Sequence, residues 1–268
     1  IMLMKRIAWL TDIHLDFLSP KRVKAFCQGI IEHNPEAVLI GGDIANANSI
    51  KVYLRILEDE LCRPIYFVLG NHDYYRGSIA GVRTAIKEFC GRSDWLHWLP
   101  AAGVVKLTEE TGLIGIDSWA DGRLGNYQNS MVLLNDYSLI KELTGLDQKV
   151  RFIKLNELGD IAAAYLKNAL PIALARFQHV LMLTHVPPFR EACWHAGRIS
   201  HDHWLPHFGC MAVGEALVDC MRNSACEITV LCGHTHSGGS AQILPTLNVK
   251  TGGAEYGKPT VQELLKIS

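Results

Sequence analysis

The 268-residue chain predicts an α/β fold in which two β-sheets pack face to face with helices outside. Strand-like and helix-like segments alternate through its first part, and consecutive strand-like runs fill its end. Five short polar motifs each follow an apolar run: Asp12-Ile13-His14, Gly41-Gly42-Asp43, Gly70-Asn71-His72-Asp73, Thr184-His185 and Gly233-His234-Thr235-His236.

The apolar runs ahead of the motifs are Ile7 to Leu10, Ala37 to Ile40, Ile65 to Leu69, Val180 to Leu183 and Ile228 to Leu231. Short β-branched-rich runs bounded by Gly and turn residues read as strands buried on both faces. After the first run, Pro20 to His33 places Val23, Phe26, Cys27, Ile30 and Ile31 at helical spacing. Ser49 to Leu61 repeats that spacing, with Ser49 as N-cap. A third helix runs from Ser78 to Phe89, where Gly91 signals the C-cap. Val104 to Leu107 and Leu113 to Ile116 read as shorter strands. A Gly- and Asn-rich loop then gives way to helix, Ala-rich over Ile161 to Leu170, which Pro171 should kink or restart. Pro187 to Cys210 shows no period, and a helix is expected around Glu215 to Met221. Ala241 to Leu244, Leu247 to Thr251 and Val261 to Leu265 are further strand candidates. With no low-complexity linker or repeat, residues 1–268 read as one domain.

A formal charge of −1 supplies no general positive field for a long polyanion, so an extended nucleic-acid partner is not expected and a small phosphorylated substrate is. No apolar run approaches bilayer length, and Met2 to Leu10 is too short for a signal peptide, so no membrane partner is expected. Ile1 ahead of Met2 reads as an added or cropped start. The eight cysteines are scattered, without a CxxC pair, and several fall in apolar patterns where free Cys acts as a small hydrophobe. That usage points to the reducing cytoplasm.

Ligands in open α/β sheets gather beyond the carboxyl ends of the strands, so the five motifs are expected to meet in one crevice. Asp, His and Asn are oxygen and nitrogen donors that bind divalent cations without any Cys. Singly, each motif has an ordinary structural explanation: an Asx turn at Asp12 to His14, a strand-ending turn at Gly41 to Asp43, a hairpin signal at Gly70-Asn71, a core His at His185. Five in order make a two-metal hydrolytic site the better explanation.

The set resembles the calcineurin-like metallophosphoesterase superfamily, whose signature runs D-x-H, G-D-x-x-[DN], G-N-H-[DE], an isolated His and G-H-x-H. Here these read D-I-H, G-D-I-A-N, G-N-H-D, T-H and G-H-T-H over Asp12 to His236. The resemblance implies a four-layer α/β/β/α sandwich of two mixed sheets flanked by helices. It implies that Asp43 bridges two divalent metal ions, Mn, Fe or Zn being the expected identities. Asp12, His14 and His236 would complete one ion's ligands, and Asn71, His185 and His234 the other's. Cations roughly 3.5–4 Å apart can clamp both the attacking and the leaving oxygen of an in-line displacement. In relatives the His matching His72 lies near the leaving-group oxygen, which implies a catalytic proton donor or charged hydrogen bond there. Asn46 stands where some relatives carry a carboxylate paired with that His, which weakens a strict dyad. Asp73 reads as a helix cap or a support behind the ligands.

Insertions near 117–177 and 187–211 are candidates for a substrate rim. Residues 189–211 are rich in Trp and His and hold Arg190 and Arg198, so arginine holding phosphate and aromatics covering an organic group is the favoured reading. A third metal at His201 and His203 is the weaker alternative there. Asp117, Ser118 and Trp119 either reach the crevice or form an ordinary turn. No G-x-S-x-G element suggests a covalent nucleophile. The function expected is hydrolysis of a small, nucleotide-like phosphodiester by a metal-bridging hydroxide. Monoester phosphatase is the alternative, and a nuclease or a non-catalytic scaffold follows behind it.

Overall fold

The computed structural model describes residues 4–268, so the expectations for Ile1 and Met2 lie outside the described residues. The elements run β1 (Lys5–Leu10), α1 (Pro20–Glu32), β2 (Ala37–Ile40), α2 (Ile50–Leu61), β3 (Ile65–Phe67), α3 (Ile79–Cys90), β4 (Leu96–Trp98), α4 (Leu99–Ala102), β5 (Val105–Lys106) and β6 (Thr111–Ile116). There follow α5 (Asp136–Leu139), α6 (Gln148–Leu174), β7 (His179–Thr184), β8 (Trp194–His195), β9 (Arg198–Ile199), α7 (Leu205–Phe208), α8 (Met211–Met221), β10 (Glu227–Cys232), β11 (Gly239–Leu244), β12 (Leu247–Thr251) and β13 (Glu263–Ile267).

The expected pair of mixed sheets is present. One sheet has the order β13-β1-β2-β3-β4, with only β13 antiparallel to its neighbour. The other has the order β11-β12-β10-β7-β6-β5, parallel through β12-β10-β7-β6. Strand alternation shows why the runs are apolar throughout. Ile7 and Trp9 of β1, Leu39 of β2, and Leu181 and Leu183 of β7 meet in a core between the sheets. Ala8, Leu10, Val38 and Ile40 face helices α1 to α3 instead. On the far side, Val180, Met182, Ile228 and Val230 face α6 and α8. Burying each large aliphatic side chain stabilises the fold by about 1.5–3 kcal/mol relative to exposure, so neither face of these strands tolerates a polar residue cheaply.

Several elements depart from the sequence expectation. β3 stops at Phe67 because the Leu69 amide donates to Asp117 Oδ1 at 2.8 Å instead of to a neighbouring strand. The helix through Ile161 to Leu170 does not restart at Pro171, because α6 continues unbroken to Leu174. That residue is exposed and lies in the last turn of α6, where the helix has few backbone bonds left to lose. Ser49 does not cap α2 with its side chain; its hydroxyl donates to the Asn46 carbonyl. Gly91 follows α3 with right-handed rather than left-handed backbone. Pro187 to Cys210 contains the β8–β9 hairpin and α7, and α8 begins four residues before Glu215. All eight cysteines are free, and no helix among the described residues is long and apolar enough to cross a membrane.

Candidate metal centre

The five predicted motifs do leave the carboxyl ends of β1, β2, β3, β7 and β10, and they converge. The Gly233 amide donates to the His185 carbonyl at 2.9 Å, and the Asp12 amide to the Gly42 carbonyl at 3.1 Å, so backbone hydrogen bonds tie neighbouring loops together at this edge of both sheets. Asp12, His14, Asp43, His234 and His236 all have positive φ, between 39° and 68°. Left-handed backbone strains residues other than Gly, and such strain gathers at functional sites. Glycine is required beside them for a different reason. A Cβ on Gly70 would sit 2.2 Å from Asp43 Oδ1, and one on Gly233 would sit 1.9 Å from Asp12 Oδ2.

On one side of the site, donor atoms of Asp12, His14, Asp43 and His236 all lie within 4.8 Å of one another. His14 Nε2 is 3.2 Å from His236 Nε2 and 3.8 Å from Asp43 Oδ2, and His236 Nε2 is 3.5 Å from Asp12 Oδ1. Thr11 Oγ1 and the His234 amide hold the Asp12 carboxylate at 2.6 Å and 3.0 Å. On the other side, Asn71 Oδ1 lies 2.9 Å from both His185 Nε2 and His234 Nδ1, and His185 Nε2 lies 3.4 Å from Asp43 Oδ1. Asp43 thus faces both halves, one oxygen to each.

A cation fits this arrangement on chemical grounds. His185 Nδ1 donates to the Gly41 carbonyl at 2.8 Å, and His234 Nε2 donates to the His207 carbonyl at 2.9 Å. A carbonyl only accepts, so each neutral ring has spent its one proton there. Burial lowers the pKa of both rings, that of His234 to about 4, which keeps them neutral. Two nitrogen lone pairs therefore point at an amide oxygen lone pair, an unfavourable meeting that a cation between them relieves. Tying the outer nitrogen of a metal-binding His to a carbonyl is the usual way to fix its tautomer. Asp43 agrees: burial and the charges of Asp12 and Asp73 push it well above the usual carboxylate range, a penalty a bridging cation removes.

Other expectations are met in part or not at all. His72 lines the site, its ring centroid 4.2 Å from that of Tyr75 in a tilted pair and 4.6 Å from that of His14 in an edge-on one. Asn46 is not its partner, since its amide donates to Asp16 Oδ2 at 2.9 Å. Asp73 supports the ligands: it accepts the amides of Gly70, Asp43, Ile44 and Ala45 at 2.8–2.9 Å. Asp117, Ser118 and Trp119 are buried behind the site and do not line it. Asp117 instead accepts from Trp98 Nε1, Tyr74 OH and Arg83 Nε at 3.0–3.3 Å.

The crevice is a cavity of about 230 Å³ whose walls include Tyr75, Leu134, Asp136, His195, Phe208 and Tyr256. The segment 189–211 does supply part of this rim, through His195 and Phe208, but not through arginine. Arg190 pairs with Asp202 on the surface, and neither it nor Arg198 lines the cavity. Among the described residues, His201 and His203 belong to no metal-binding cluster. Tyr75, Asp136 and Tyr256 were missed in the sequence. Tyr75 was within reach, two residues past Asp73, and Asp136 follows the apolar run Met131 to Leu134, which forms no strand, whereas Tyr256 follows no apolar run. A larger cleft of about 520 Å³, beside Pro188 and α8, carries none of the metal-binding donors.

The sequence matches the family model described as calcineurin-like phosphoesterase over residues 5–238. A search of curated proteins finds no significant match. Among solved structures, similar folds include the phosphopantetheinyl hydrolase PptH from Mycobacterium tuberculosis, with 14% identity and a TM-score of 0.69 over 98% of this chain and 95% of that one. A dimetal phosphatase from Danio rerio is 15% identical, with a TM-score of 0.58 over 93% of this chain and 87% of that one. The protein TT1561 of Thermus thermophilus is 12% identical, with a TM-score of 0.57 over 98% of both chains. At these identities the likeness is one of fold.

Proposed function

The chain belongs to the calcineurin-like phosphoesterase family, and from that premise we propose that this metal-dependent phosphoester hydrolase cleaves small, nucleotide-like phosphodiesters at a centre for two divalent cations. The observation that carries the choice of ester is the cavity wall. It contains Asp43 and Asp136 but no lysine or arginine, so apart from the cations it holds no permanent positive charge to compensate a second substrate charge. A diester carries one negative charge at neutral pH where a monoester carries close to two. Tyr256, Phe208 and His195 offer aromatic surface to the organic group. Placement in the reducing cytoplasm accords with the eight free cysteines.

Asp12, His14 and His236 with Asp43 would hold one cation, and Asn71, His185 and His234 with Asp43 the other. Once bound, the pair would supply positive charge for ionising an attacking water and for binding phosphoryl oxygens. His72 contributes at the leaving group. Burial, with His14 next in effect, lowers its pKa to about 2, so the free site holds a neutral imidazole. A phosphate beside the ring favours its protonation and a hydrogen bond to the departing oxygen.

The test compares kcat/KM on bis(4-nitrophenyl) phosphate and 4-nitrophenyl phosphate in Mn²⁺. The diester is expected to be favoured roughly tenfold or more, in the range that pocket contacts usually provide. A faster monoester would move the assignment to a phosphatase, and no turnover of either would favour a scaffold. His72→Ala is expected to keep its metals, measured by elemental analysis, while kcat falls about 10²-fold. Undiminished turnover by that variant removes the proposed acid.

A further inference from the structure

Asp136 is buried at the cavity wall, 6% exposed, and it comes from α5, far in sequence from any of the five motifs. Its Oδ1 accepts from Asn71 Nδ2 at 2.9 Å and from Tyr75 OH at 2.7 Å. Asn71 Nδ2 is also 3.2 Å from the Tyr75 hydroxyl oxygen, closing a triangle of three side chains. The consequence lies at the opposite end of the amide. An Asn side chain can rotate to exchange its oxygen and nitrogen, and only one orientation offers an oxygen to a cation. A carboxylate cannot donate, so it admits only the amide nitrogen on its side and turns Asn71 Oδ1 towards His185 and His234.

Building on the two-cation reading above, we propose that Asp136 is a positioning residue selective for the cation held by Asn71, His185 and His234. Those three side chains are neutral, so the added negative charge just behind them also strengthens that half of the site. The opposite half has Asp12 among its own ligands and no contact with Asp136. Asp136 has a companion in the same wall. The His207 carbonyl fixes His234, while the His207 ring bonds Ser130 Oγ at 3.0 Å and the hydroxyl of Tyr137, the residue after Asp136. Two rim segments, 130–137 and 203–208, therefore both end on ligands of the same cation.

Manganese titration of the full chain tests this, read by calorimetry and by electron paramagnetic resonance. The parent is expected to bind two Mn²⁺ and show an exchange-coupled signal. Asp136→Ala should weaken one ion about tenfold or more and leave the other unchanged. At a Mn²⁺ concentration that fills the parent, the variant should show the six-line signal of an isolated ion. Asp136→Asn, which keeps an acceptor oxygen, should recover part of the loss. Equal weakening of both ions would mean a general structural role and overturn the proposal, as would unchanged affinities. If Asp136→Ala does not fold, Tyr75→Phe decides: it removes two sides of the triangle, leaving only the Asn71–Asp136 bond, and an unchanged pair of affinities overturns the proposal. A parent that binds fewer than two Mn²⁺ instead removes the two-cation reading itself, and this inference with it.

Discussion

Asp43→Asn is expected to abolish binding of both cations and phosphoester hydrolysis while raising the melting temperature of the metal-free protein. The two effects share one cause. Asp43 is buried, with one oxygen 3.8 Å from His14 and the other 3.4 Å from His185, so it serves both halves of the site. In the metal-free fold that carboxylate lacks compensation, and burial with the charges of Asp12 and Asp73 raises its pKa. A carboxyl whose folded pKa lies above its unfolded one binds its proton more tightly when folded. It therefore favours the fold at low pH and opposes it as pH rises past the unfolded value. Asparagine removes that opposition, and its Oδ1 still accepts the His72 amide, now donated at 2.8 Å to the aspartate. The loss in kcat/KM should be about 10³-fold or more, about 4 kcal/mol of transition-state stabilisation. Elemental analysis, turnover and calorimetric melting check the three parts. Two retained metals, or a lower melting temperature, would contradict this account of Asp43.

Asp73→Ala should be the most destabilising single change near the site among those that leave every ligand side chain in place. The carboxylate accepts four backbone amides, those of Gly70, Asp43, Ile44 and Ala45, from the loops after β2 and β3. It is fully buried, so removing it leaves four donors in a space where water must rearrange to reach them. Leaving even one or two such groups unsatisfied costs about 1–3 kcal/mol each, and a loss of about 3–5 kcal/mol is expected for the set. Urea unfolding of the metal-free protein measures it. The same loops carry Asp43 and Asn71, so cation affinity should fall with stability. A loss below about 1 kcal/mol would show that water replaces the carboxylate there.

Asp73 also shows how far local pattern reaches. It sits beside His72 in a motif visible in the sequence, yet its role depends on Ile44 and Ala45, some thirty positions earlier. Adjacency identified the residue but not what it holds. The arginines of 189–211 fail for a related reason. Arg190 was a reasonable phosphate ligand by composition, but the loop path directs it to Asp202 and the surface. Composition reports what a segment contains, whereas the direction of a side chain depends on contacts elsewhere.

Sequence alone was enough to determine the two packed sheets and the convergence of Asp12, His14, Asp43, Asn71, His185, His234 and His236. Strands buried on both faces must be apolar throughout, and parallel strands deliver their following loops to one edge. Only the tertiary structure decided that Asp136 orients Asn71, that Tyr256 and Phe208 wall the cavity, and that Asp117 lies behind it. Asp136, Phe208 and Tyr256 sit in segments without period, and all these residues are joined to their partners by contacts spanning tens to hundreds of positions. Nothing in the local pattern of a chain encodes a distance of that kind.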